Sequence, residues 1–75
     1  MKEYTIKMTW NPEVCVWTAL NHDIPMALES NSYDALVERV KIAAPELLEL
    51  NGENPECVLL FSSERKENIH REEVA

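Results

Sequence analysis

The sequence predicts an α+β domain of element order β-β-β-α-β, with a four-stranded mixed sheet in the order 3-2-1-4 and one long helix packed on one face. Three observations carry this. Residues 4–20 hold two strand-like runs around a turn, residues 33–50 keep the apolar spacing of one long helix, and residues 57–62 form a last short apolar run. A meander of three antiparallel strands followed by a helix and a strand closes best through a right-handed crossover. That closure sets the last strand beside the first and parallel to it. A split βαβ arrangement with another strand order is the alternative.

Tyr4, Ile6 and Met8 alternate with Thr5, Lys7 and Thr9, the period of a half-buried strand. Asn11-Pro12-Glu13 is turn chemistry, with Pro12 fixing φ for a tight connection. Val14 to Leu20 then reads as a second strand, apolar on both faces: Val14, Val16 and Leu20 on one, Cys15, Trp17 and Ala19 on the other. Such a strand belongs in a sheet that is covered twice. One helix covers one face only, so a twin subunit or a different protein is expected on the second. Asp23-Ile24-Pro25 ends this run, because Pro25 biases Ile24 towards extended backbone and cannot donate to a ladder. Met26 to Glu29 follows as a short third strand near an edge.

Ser32 is the expected N-cap of the helix, and Asp34 suits its positive end. The helix is expected over Tyr33 to Leu50. Leu36, Val40, Ala43, Leu47 and Leu50 recur at steps of four and three, Val37, Ala44 and Leu48 widen the stripe, and Glu38, Lys41, Glu46 and Glu49 lie opposite. Pro45 points away from the stripe, so the axis can bend there with the freed Lys41 carbonyl in water. Asn51-Gly52 supplies a left-handed stop. After Pro55, Cys57 to Ser62 reads as a buried fourth strand. Residues 1–63 thus form a single domain, and residues 64–75, mostly charged, are expected to be a disordered tail.

A chain of 75 residues builds one domain with a modest core. The longest apolar runs, such as Val58 to Phe61, are too short to cross a bilayer, and Met1-Lys2-Glu3-Tyr4 lacks the apolar centre of a secretory signal. A cytoplasmic location is expected. Cys15 and Cys57 show neither CxxC spacing nor a nearby His pattern and read as buried reduced thiols. Fourteen acids against seven bases give a net charge of −7, which repels a phosphate backbone and argues against direct nucleic-acid binding. The same charge steers a basic partner.

Trp17-x-Ala19, Asp23-Ile24-Pro25 and the helix capped by Ser32 resemble the HicB-like antitoxin family, a truncated RNase H-like fold. The run Pro45-Glu46-Leu47-Leu48-Glu49-Leu50-Asn51-Gly52 resembles a small uncharacterised bacterial branch of that group without a DNA-binding domain. The resemblance covers residues 4–62. It implies a homodimer that masks a small basic RNA-cleaving toxin of the HicA type. Two departures stand out. Met26 occupies a position where HicB-like chains usually carry Gly after the Pro. The charged tail also cannot form the helix-turn-helix or ribbon-helix-helix with which HicB antitoxins repress their own operon. A stand-alone homo-oligomeric, adaptor-like domain with no toxin partner is the alternative.

RNase H chemistry needs several carboxylates converging on divalent metal. The strand interiors carry none, since Glu3, Glu13 and Glu29 fall at strand ends, Asp23 in a turn and Asp34 at the helix start. His22 beside Asp23 has no nucleophile nearby and reads as a solvated turn residue. With one Gly in the chain no phosphate-cradling loop can form. No enzyme activity, metal or cofactor is expected. The residues expected to meet a partner are Trp10 and Trp17, as rigid aromatic anchors, Ile42 in the centre of the polar helix face, and the acids Glu46, Glu49 and Glu53. These acids, with Glu56, gather at the carboxyl end of the helix, where each opposes the macrodipole at roughly 0.3–1 kcal/mol.

Overall fold

In the computed structural model, which describes residues 1–71, alternation along β1 (Glu3–Asn11) sets the two layers of the molecule. Tyr4, Ile6 and Met8 point into the core and are buried, while Thr5 and Lys7 face out. β2 (Val16–Leu20) pairs with β1 antiparallel, placing Trp17 opposite Trp10 and Ala19 opposite Met8. β3 (Ala27–Ser30) pairs antiparallel with β2. β4 (Val58–Glu64) runs parallel to β1, with Leu59 opposite Tyr4 and Phe61 opposite Ile6. The sheet order is therefore β3-β2-β1-β4, the expected closure, with α1 (Tyr33–Leu50) as the crossover between β3 and β4.

Leu36, Val40, Ala44 and Leu48 form the buried ridge of α1 and pack on Tyr4, Ile6, Met8, Ala19, Ile24 and Met26. Each large aliphatic side chain so buried contributes roughly 1.5–3 kcal/mol. Both ends of the helix are satisfied by local chemistry. The Ser32 hydroxyl accepts the Ala35 N–H at 3.2 Å, and Ser32 itself stays extended at φ −110° and ψ 122°. At the other end Gly52 takes φ +73°, its N–H donates to the Glu49 carbonyl at 3.1 Å, and the Glu53 N–H donates to the Leu48 carbonyl at 2.8 Å. That pair of bonds is the Schellman closure, and the left-handed residue is the glycine. The helix runs through Pro45 without ending.

Four expectations need correction. The second strand starts at Val16 instead of Val14, because Asn11 uses its side-chain oxygen to accept the Glu13 N–H at 3.1 Å and Cys15 turns left-handed at φ 54°. Cys15 is consequently exposed and Cys57 half-buried, so the thiols are not both core groups. The fourth strand is not buried. As an edge strand it leaves Val58 46% and Leu60 49% exposed on its outer face. Leu50 does not join the apolar stripe, for it stands about 200° round the helix from buried Leu48 and is 81% exposed. Residues 65–71 follow β4 without helix or strand, and the part of the expected tail at 72–75 lies outside the described residues.

Candidate protein-binding surfaces

The two tryptophans meet at one corner of the inner sheet face. As directly opposed residues of β1 and β2, Trp10 and Trp17 bring their ring centroids to 5.5 Å at an interplanar angle of 56°. Trp17 also meets the first helical residue, Tyr33, edge-on at 4.9 Å, and packs against the core. The Tyr33 hydroxyl shares a 2.7 Å hydrogen bond with Ser63 Oγ. Two residues beyond the Met8–Ser63 pair, Arg65 lays its guanidinium 4.4 Å from the centre of the Trp10 ring and 5.9 Å from that of Trp17. Its Nε donates to Glu67 Oε1 at 2.6 Å. Trp17 is thus tied to the core, whereas Trp10 is half-buried between Trp17 and the arginine.

Ile42, Glu46 and Glu49 lie on the opposite side of α1, in steps that keep them on one helix face. Ile42 is 66% exposed, and Leu50 joins Glu46 and Glu49 around one shallow depression. Glu53 follows the glycine stop and is also exposed. The last turn of α1 carries no base. Among the described residues the ion pairs are Lys7–Glu64, Lys41–Glu38 and Arg65–Glu67, none of which reaches Glu46, Glu49 or Glu53. The structure brings Ile42 together with Glu46 and Glu49, and keeps the tryptophans apart from them. The aromatic corner sits at the start of the helix and Glu46 and Glu49 towards its end, about 20–24 Å of helix away.

Among the described residues no helix covers the outer sheet face. Leu20, Val58 and Leu60 stand there at 46–49% exposure among Thr5, Thr18 and Ala27. Among the described residues no three His, Cys, Asp or Glu side chains come together as metal ligands would, and no helix is long and apolar enough to cross a membrane. His22 is exposed.

Two residues that organise these surfaces escaped the sequence reading. Asn21 donates from Nδ2 to the Thr5 carbonyl at 2.7 Å and accepts the Asp23 and Ile24 N–H groups on Oδ1, each at 2.7 Å. An Asn leaving a strand ahead of Asp-Ile-Pro is the available signal for such a turn. Arg65 falls in the charged run expected as a tail, and only the parallel register shows it continuing the inner row of Leu59, Phe61 and Ser63.

With this geometry in place, the chain matches the model of a family described as Domain of unknown function (DUF1902) over residues 3–70. This chain belongs to the DUF1902 family. The match runs past β4 and takes in Arg65. No curated protein matches the chain. A solved structure similar to this DUF1902 chain is that of the hypothetical protein TTHA1013 from the extremely thermophilic bacterium Thermus thermophilus. It has a TM-score of 0.70 and 27% sequence identity, and the likeness covers 93% of this chain and 100% of that one.

Proposed function

We propose that the protein is a protein-binding module that masks a small basic RNA-cleaving partner in the cytoplasm, as its resemblance to HicB antitoxins implies. One observation carries the reading: Ile42 and Leu50 stand exposed among Glu46 and Glu49 on the outer face of α1. A helix shaped for its own stability would set Lys or Arg in its last turn, where this one has none. Apolar anchors ringed by charge are the anatomy of an interface. A ring of carboxylates suits a partner made basic by its need to hold RNA. Charge guides the encounter, and desolvation of Ile42 and Leu50 slows dissociation. In this role the protein binds and does not catalyse.

The tagged protein, expressed in its own host and passed over a size-exclusion column, is expected to retain one stoichiometric small basic protein that high salt releases. Glu46→Lys with Glu49→Lys should weaken that complex about tenfold or more at low salt. Unchanged affinity of the charge-reversed protein at low salt overturns the reading. A clean homo-oligomer with nothing else bound supports the second reading, a stand-alone adaptor-like domain, which the open edge of β4 favours.

A further inference from the structure

We propose that a second copy of this chain docks antiparallel along the free edge of β4, joining two four-stranded sheets into one of eight strands across a two-fold axis. The inference is independent of the basic partner proposed above. It starts from the direction of backbone groups. The Val58 N–H donates to the Lys2 carbonyl at 3.0 Å, so Val58, Leu60 and Ser62 turn their N–H and C=O groups towards β1. Strand alternation then turns those of Leu59, Phe61 and Ser63 to the open side. Among the described residues no side chain bonds to them. An uncharged stretch, Cys57 to Ser63, carries this row with no Lys or Pro to discourage pairing. A long apolar edge of this kind is a template for another strand.

Three features select a second copy and one register. Only outward-facing residues can form hydrogen-bonded antiparallel pairs, and the register centred on Phe61 uses all of them. Phe61 then faces Phe61 of the second copy, Leu59 faces Ser63, and three pairs exchange about six hydrogen bonds. The Phe61 rings, half-buried in one copy, become a cross-strand aromatic pair. Continued outward, the same register sets Glu56 opposite Lys66 of the second copy, twice by symmetry. Shifting the centre to Leu60 sets Glu56 opposite Glu64, a like-charge clash in a chain of net charge −7. A strand that matches itself in backbone, ring and charge forms a closed isologous interface.

Sedimentation and amide exchange by NMR test this on the full chain. The expected result is a dimer in which the Leu59, Phe61 and Ser63 amides exchange at least about a hundredfold more slowly than those of residues 65–71. Ser63→Pro removes one outward donor and should give a monomer with an unchanged circular dichroism spectrum. Ser63→Ala, which loses only the bond to Tyr33, should stay dimeric. Lys66→Glu should weaken the dimer about tenfold, and adding Glu56→Lys should restore it. Two results overturn the proposal: a monomer at every concentration up to about 1 mM, or a dimer whose Leu59, Phe61 and Ser63 amides exchange as fast as those of 65–71. Full dimerisation of the Lys66→Glu protein overturns the Phe61 register.

Discussion

The two edges of the sheet are built differently, and the shorter one is the better protected. β3 has four residues and β4 has seven. Yet β3 is held by side chains from several directions. Asn21 ties its entry loop to Thr5, and Ile24 and Met26 plug that loop into the core. Pro25 sits in a tight turn closed by the Met26 N–H on the Ile24 carbonyl at 2.7 Å. Arg39 reaches down from α1 and donates to the Glu29 carbonyl at 2.7 Å. β4 is held by its backbone ladder to β1, by half-buried inner side chains, and near its exit by the Tyr33–Ser63 hydrogen bond and the exposed Lys7–Glu64 pair. Strand length therefore says little about exposure to pairing. What matters is whether the outward donors and acceptors are already occupied and whether Pro or charge stands beside them.

The sharpest way to break this contrast is to empty the plug behind β3. Ile24 is fully buried, so Ile24→Ala should cost about 2–5 kcal/mol, read as a lower urea midpoint at constant slope. Val58→Ala on the outer face of β4 should cost under about 1 kcal/mol. Equal losses at the two positions would mean that both edges are anchored alike. Asn21→Ala comes next, at about 1–3 kcal/mol, because one side chain serves three backbone groups. Water reaches this half-buried site and should hold the loss to the lower part of that range. The Asp23 and Ile24 amides should exchange faster in this variant while those of β4 keep their wild-type rates. Accelerated exchange along β4 as well would show that the loop braces the whole sheet.

Strand order and helix limits were legible because each has a local cause. Ser32 caps, Gly52 stops, and the step from a meander to a crossover leaves one favoured place for the last strand. The strand order already sets β4 at an edge, but the exposure of its outer face was not legible. Val58 to Phe61 has the composition of a buried strand, and composition does not say which neighbour is missing. The turn at Cys15 is hidden for a similar reason, since nothing in Val14-Cys15-Val16 announces a left-handed residue. At the candidate sites, the exposed run of Ile42, Glu46 and Glu49 could be read from helical angle alone. The aromatic corner could not, because Trp10, Trp17, Tyr33 and Arg65 meet only through strand register.

Arg65 offers the smallest but most informative test, because beside the exposed Lys7–Glu64 pair it anchors the exit of β4. Its guanidinium lies over Trp10 and is half-exposed, a setting in which a cation–π contact contributes about 0.5–1 kcal/mol. Arg65→Ala should therefore lower stability by about that amount. It should also shift tryptophan emission to longer wavelength, since Trp10 loses its cover while Trp17 stays on the core. Arg65→Lys should restore part of the stability, because the charge returns without the planar stack. If Arg65→Ala instead destabilises as much as Asn21→Ala, β4 is tied by side chains as firmly as β3. An unchanged emission spectrum would mean that the arginine does not shield the ring, leaving Trp10 as an open aromatic face beside an open edge.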